Sequence, residues 1–216
     1  MKAYSARGVT FEILLIKFTL EERRCVDAKK FLLEALDQAT DVIDTVSPDD
    51  FHRPTPAVEW SVLRLCGHML YQLCWVGDVL AGKLASEMGT AYDGDLIGRH
   101  GLEANWHSAA QRAKEVLPFA KLDAVVHPKT GDVLVDEYLR QVAADLLVHS
   151  WDLGEALGVP VQFGADVADT LYHFIVQQAP AMRAAGLYAA PIEVPEDTSI
   201  QIQLLALSGR SPHWRQ

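Results

Sequence analysis

Apolar residues recur at helical spacing through most of this chain, and proline and glycine interrupt them at intervals that leave helix-sized pieces. The clearest series is Leu139, Val142, Ala143, Leu146, Leu147, Leu153 and Ala156, closed by Gly158 with Pro160 following. Glycine just past a helix end and proline soon after are a strong stop signal. Asp136 is placed to cap the start of this helix. An earlier helix is expected from Glu21 to Val46, carrying Phe31, Leu32, Ala35, Leu36, Val42 and Ile43 and ending at Ser47-Pro48. Arg53-Pro-Thr-Pro-Ala57 reads as extended, because proline biases the preceding residue away from helical angles. Ser61 then offers a cap oxygen, with Trp60 before it placed to pack on Leu65, for a helix ending near Gly82. Residues 86–100 read as a long loop. Further helices are expected over Leu102–Leu117, over Asp166–Ala185 with a break or kink at Pro180, and over Ile200–Leu207.

Only one stretch changes period. Leu122–His127 and Asp132–Val135 flank a glycine-containing turn and read as a small hairpin. One weak pair of strands leaves no route to a parallel sheet. The fold class is therefore all-α: an up-and-down four-helix bundle with a small β-hairpin and extra C-terminal helices. Residues 21–216 are expected to form one bundle domain, and residues 1–20 an extension of unknown structure.

With 216 residues, half of them hydrophobic and 22% charged, the chain can bury a core, which excludes disorder. The net charge of −10 repels phosphate backbones and anionic lipid, so neither nucleic acid nor a membrane is an expected partner. The apolar run Phe11–Leu20 is broken by Glu12 and Lys17. It falls short of the roughly twenty residues a membrane span requires and lacks the features of a signal peptide. Cys25, Cys66 and Cys74 form no CxxC and cannot all pair, as suits a reducing, cytoplasmic setting.

Chemistry concentrates in Asp145-Leu-Leu-Val-His149-Ser-Trp-Asp152. At about 100° per residue the two carboxylates and the imidazole project from one helix face. Such a pair is common by chance on an exposed face. Here Leu146, Leu147, Val148 and Leu153 surround it, and a carboxylate buried among apolar residues requires a partner. His68, in a similarly apolar setting on the helix after Ser61, reads either as a satisfied core histidine or as that partner across the bundle. Two imidazoles and one carboxylate from facing helices make a three-ligand set with open positions, the pattern of catalytic zinc. Asp152 is placed either to orient an imidazole or to pair with Arg64 or Arg140. Trp151 and Trp75 suit the core or a pocket wall. Cys66 points about 160° away from His68 on their helix and reads as inert core. His52, His100, His107, His127, His173 and His213 are assigned no role.

Four blocks in order, Pro54-Thr-Pro-Ala-Val-Glu-Trp60, His68, Leu147-Val-His-Ser-Trp-Asp-Leu153 and Leu204-Leu-Ala-Leu-Ser-Gly-Arg-Ser-Pro-His-Trp214, resemble the DinB-like metal-binding bundles. Within them the sequence is most similar to the mycothiol-dependent maleylpyruvate isomerase-like branch, from about residue 25 to the end. The resemblance implies a four-helix core, a divalent metal ion, usually zinc, held by His68, Asp145 and His149, and chemistry on mycothiol or another low-molecular-weight thiol. This chain departs from the branch in having Asp145 where its pattern has Glu, and Ala57 where a cysteine often stands. The expected function is a metal-assisted, thiol-dependent transferase or isomerase acting on a small molecule, with Arg64 or Arg140 as candidate holders of an acidic substrate or the thiol. A metal-activated hydrolase using the same ligands, and a non-catalytic metal-binding or stress-response bundle, are the competing readings.

Overall fold

The computed structural model describes residues 26–98, 101–128 and 131–214. The extension expected at 1–20, the first residues of the helix expected from Glu21, Cys25 and His100 lie outside them. Helix α1 spans Ala28–Ile43. Its start is set by Asp27, whose carboxylate accepts from the amides of Lys29 and Lys30, so the helix begins later than the periodicity from Glu21 predicts. Phe31, Leu32, Ala35, Leu36, Ala39, Val42 and Ile43 form its buried face.

A 3-10 turn at Pro48–Asp50, capped by Ser47, leads to a short antiparallel bridge between Pro54 and Ser61. The loop closed by that bridge holds Glu59 at φ 66°, the non-glycine residue with positive φ among the described residues. Helix α2, Val62–Leu80, follows directly, capped by Ser61 as expected. A single turn, α3 (Ala85–Met88), interrupts the expected loop, and α4 covers Leu102–Val116.

Strands β1 (Val125–Val126) and β2 (Val133–Leu134) are shorter than predicted. The reason lies in helix α5, Val135–Leu157, which starts immediately after β2 without a side-chain cap. Its first amides, Val135 and Asp136, donate to the carbonyls of Ala124 and Leu122, so hairpin backbone satisfies donors that a cap would otherwise serve. Asp136 therefore does not cap; it accepts from Arg140 one turn on. Helix α6, Ala165–Ala184, runs on through Pro180, so of the break or kink expected there the break does not occur. The carbonyl that loses its donor belongs to Val176, on an exposed part of the helix. Helix α7 is Ile200–Leu207.

Helices α1, α2, α4 and α5 close a ring in which α1 packs on α5 and α4, and α2 packs on α4 and α5. Trp106 of α4 is fully buried and its indole N–H donates to Thr40 of α1 at 2.9 Å. Helices α6 and α7 pack on each other, and α6 on α5. Consequently α5 is buried on every side from Leu146 to Gly154. No helix of the described residues is long and apolar enough to cross a membrane.

Gly158 ends α5 in the left-handed conformation at φ 72°, and the chain turns back so that Val161 lies on Gly154. A Cβ at 154 would meet Val161 Cγ2 at 2.5 Å and the Val159 carbonyl at 2.6 Å, whereas one at Gly67, inside α2, meets nothing within 4 Å. Gly154→Ala is therefore expected to destabilise by about 1–3 kcal/mol through overpacking. Gly67→Ala should stabilise by about 0.5–1 kcal/mol by reducing backbone entropy loss. Thermal melts of both variants should move in opposite directions, and equal shifts would contradict the packing at Val161.

Candidate metal centre

Helix α2 carries His68 and the packed helix α5 carries Asp145, His149 and Asp152. Asp145 reaches both imidazoles: its Oδ2 is 3.1 Å from His68 Nε2, and its Oδ1 is 3.5 Å from His149 Nε2. The structure thus brings the three side chains singled out in the sequence to one place, with one ligand atom from each within 4.8 Å of the others. Their rings form one aromatic cluster with Trp60, which stacks on His149 (5.6 Å between centroids, 24°) and meets His68 edge-on at 4.9 Å. The Pro54–Ser61 bridge is what holds Trp60 over the pair. Arg64 lies over the Trp60 ring at 5.1 Å.

His149 is fixed from behind. Its Nδ1 donates to Asp152 Oδ2 at 2.9 Å, which turns Nε2 toward Asp145 and His68. Asp152 has no exposed surface, and its partner is Arg210, beyond α7, rather than Arg64 or Arg140. Arg210 places Nε 3.3 Å from Oδ1 and Nη2 3.1 Å from Oδ2, while its Nη1 donates to the Ser208 carbonyl at 3.1 Å. Its guanidinium also sits over Tyr188 at 5.9 Å. Arg140 is occupied elsewhere, bonding Asp136 and the Val26 carbonyl.

Burial and charge compete at these groups. Burial pushes the Asp145 carboxyl up, but His149 and His68 outweigh it and hold the acid below its usual range. Burial pushes His149 down, and the carboxylates of Asp145 and Asp152 more than reverse this. Arg210 is likewise raised by Asp152 against its desolvation. Burial outweighs an opposing backbone hydrogen bond and pushes the Cys66 thiol up to about 12, in keeping with inert core, and also raises Cys74.

The three side chains open onto a cavity of about 730 Å³. Trp60, Tyr71, Trp75, Tyr138, Phe174 and Tyr188 supply its aromatic walls. Trp75 is therefore a wall residue, while Trp151 is buried in the core. Gln72, which sequence reasoning missed, enters beside His68: its Nε2 is 3.3 Å from His68 Nε2, and its Oε1 is buried with no hydrogen-bond partner. Its position one turn after His68 is the signal that points to it. Of the histidines assigned no role, His107 meets Asp44 at 2.9 Å beside Glu103, a group exposed throughout. His127 and His173 pair with Asp132 and Asp169 near the surface.

Residues 32–154 match the family model of the mycothiol maleylpyruvate isomerase N-terminal domain. The match takes in His68, Asp145, His149 and Asp152 and stops short of Arg210. The fold is shared with the crystal structure of the mycothiol-dependent maleylpyruvate isomerase, with TM-score 0.54 and 14% identity over 76% of this chain and 72% of that one. It is shared equally with a histidine-to-alanine mutant of that enzyme, with TM-score 0.53 and 15% identity over the same shares. No curated protein matches the sequence. A match over more than half of the chain, together with this all-helical fold, places it in the mycothiol maleylpyruvate isomerase N-terminal domain family.

Proposed function

We propose that this protein is a divalent-metal-dependent enzyme that uses a low-molecular-weight thiol to transfer to, or isomerise, a small molecule, with His68, Asp145 and His149 holding the metal. The observation that carries the reading is the convergence of two imidazole nitrogens and a carboxylate, from two helices, at the floor of a cavity. Three protein donors leave coordination positions open, which suits zinc in a catalytic setting. His68 Nε2 faces both the Asp145 carboxylate and the Gln72 amide nitrogen. One ring nitrogen cannot donate to the first and accept from the second; the chemistry of the donor set, two imidazoles and a carboxylate, is what suits a cation here. The shorter Asp145 still brings an oxygen to each histidine.

A bound zinc ion supplies a Lewis acid and favours the thiolate form of a coordinated thiol at neutral pH. Asp152 keeps the His149 proton on Nδ1 and the Nε2 lone pair toward the centre. Trp60 covers the imidazoles on one side and limits access of water. Cys66 and Cys74 are buried with raised thiol pKa values, so neither is poised as the nucleophile. With neither cysteine of the described residues suited to it, an external thiol is assigned that role, in line with the mycothiol dependence named for the structural neighbours.

Elemental analysis of the purified protein should show about one divalent ion per chain. Activity screens against small electrophiles should then give turnover only when a thiol is supplied. Turnover without any thiol would move the site to metal-activated hydrolysis, and saturating metal and thiols with no turnover would favour a binding role.

A further inference from the structure

We propose that Gln72 binds the thiol at this centre, its amide N–H donating to the sulfur once that sulfur is held as a thiolate. The proposal rests on the metal assignment above and adds a ligand-binding residue that the three donors do not include.

Helix α2 presents His68, Tyr71, Gln72 and Trp75 to the cavity at i, i+3, i+4 and i+7, so one face of the helix forms a wall. Gln72 follows His68 by one turn, and its amide nitrogen stands 3.3 Å from His68 Nε2, the atom assigned to the metal. Its Oε1 is closed off from solvent, so the nitrogen is the polar end of this side chain that can meet a bound molecule. An amide nitrogen only donates hydrogen bonds and offers nothing to a cation. What it can serve is an electron-rich atom held beside His68. A hydrogen bond to an ionised acceptor is roughly twice as strong as one to a neutral acceptor, so this donor favours a thiolate over a neutral thiol or water.

Stability supplies an independent reason. Gln72 Oε1 is buried with no hydrogen-bond partner among the described residues, and a polar group left in that state weakens the fold. Methionine would fill a similar volume without that cost. A side chain that weakens the fold at the wall of a cavity is accounted for by what its other end does there, the usual trade between stability and function at a site.

Cobalt(II) tests this, because it accepts the same donor types as zinc and its absorption spectrum reports them. Wild type, Gln72→Met and Gln72→Glu are loaded with cobalt, and 2-mercaptoethanol is titrated against the sulfur-to-cobalt charge-transfer band. Imidazole, a neutral ligand for the open position, is the control. Gln72→Met should bind 2-mercaptoethanol about tenfold or more weakly, bind imidazole within about twofold of wild type, and melt without metal at or above the wild-type temperature. Gln72→Glu offers only acceptor oxygens and should weaken thiolate binding further by like-charge repulsion. Chelator competition should leave the cobalt affinity of Gln72→Met within about threefold of wild type. Unchanged 2-mercaptoethanol binding, or an equal loss of 2-mercaptoethanol and imidazole as a general disturbance of the cavity would give, overturns the proposal. So does a large loss of cobalt from Gln72→Met, which would make the amide a donor to the ion itself. Failure of the metal assignment reads differently: wild type takes up no cobalt, or His149→Ala retains it, and the proposal falls with that reading.

Discussion

If His68, Asp145 and His149 hold a divalent ion as proposed, His149→Ala is expected to weaken its binding by well over the roughly 10–100-fold that loss of an outer hydrogen-bond partner causes. The ring supplies one of only three donors, and its Nε2 is directed by the Asp152 contact at 2.9 Å. His68→Ala should behave alike, because the two imidazoles reach the same carboxylate from different helices. Asp152→Asn keeps all three donors and should cost only the smaller factor. Metal binding also stabilises the folded chain by mass action, by about 2.7 kcal/mol when free metal is a hundred times its Kd. For a chain of this size that corresponds to a Tm rise of about 5–10 °C. Competition against a chelator dye and melts with and without zinc measure both effects. Wild-type stoichiometry and a wild-type Tm rise in both alanine variants would remove the centre from these residues.

Arg210→Ala is expected to be among the most destabilising single substitutions in the chain, at about 3–5 kcal/mol. The magnitude follows from what is left behind. Asp152 has no exposed surface, and Arg210 meets both of its oxygens. Removing the guanidinium leaves His149 as the one remaining partner of a buried charge among the described residues. The Tm should fall by about 6–20 °C. Combining the change with Asp152→Asn removes the stranded charge and should recover a good part of the loss, a coupling that a double-mutant cycle reads directly. An Arg210→Ala protein that melts like wild type, or a double variant that shows no coupling, would mean that the pair carries no stabilising role.

The helices were legible because their signals are local. Gly158 and Pro160 stop α5 where the structure ends it, and Ser61 starts α2. The angular arithmetic on one helix also placed Asp145, His149 and Asp152 on a shared face. What lay beyond reach was set by partners distant in the chain. Arg210 is 58 residues from Asp152, whereas the arginines on the helices that carry His68 and Asp152 themselves are Arg64 and Arg140. The trace of the true partner was the Ser208-Gly-Arg-Ser-Pro segment within the family resemblance. The start of α5 was misplaced for a similar reason. Its amides are served by carbonyls of Leu122 and Ala124, and no spacing rule within the helix reveals that. Pro180 does not break α6 because a proline is tolerated where its orphaned carbonyl lies on an exposed stretch, and burial is not written in the residue itself.

The position of Arg210 beyond the family match also bears on modularity. A fragment cut after α5 would retain every donor atom, yet it would expose the acid at 152 and lose the wall built by Phe174 and Tyr188. The segment that carries His68, Asp145 and His149 is thus not a portable cassette: transplanting this arrangement to another scaffold requires carrying along the later helices that insulate it.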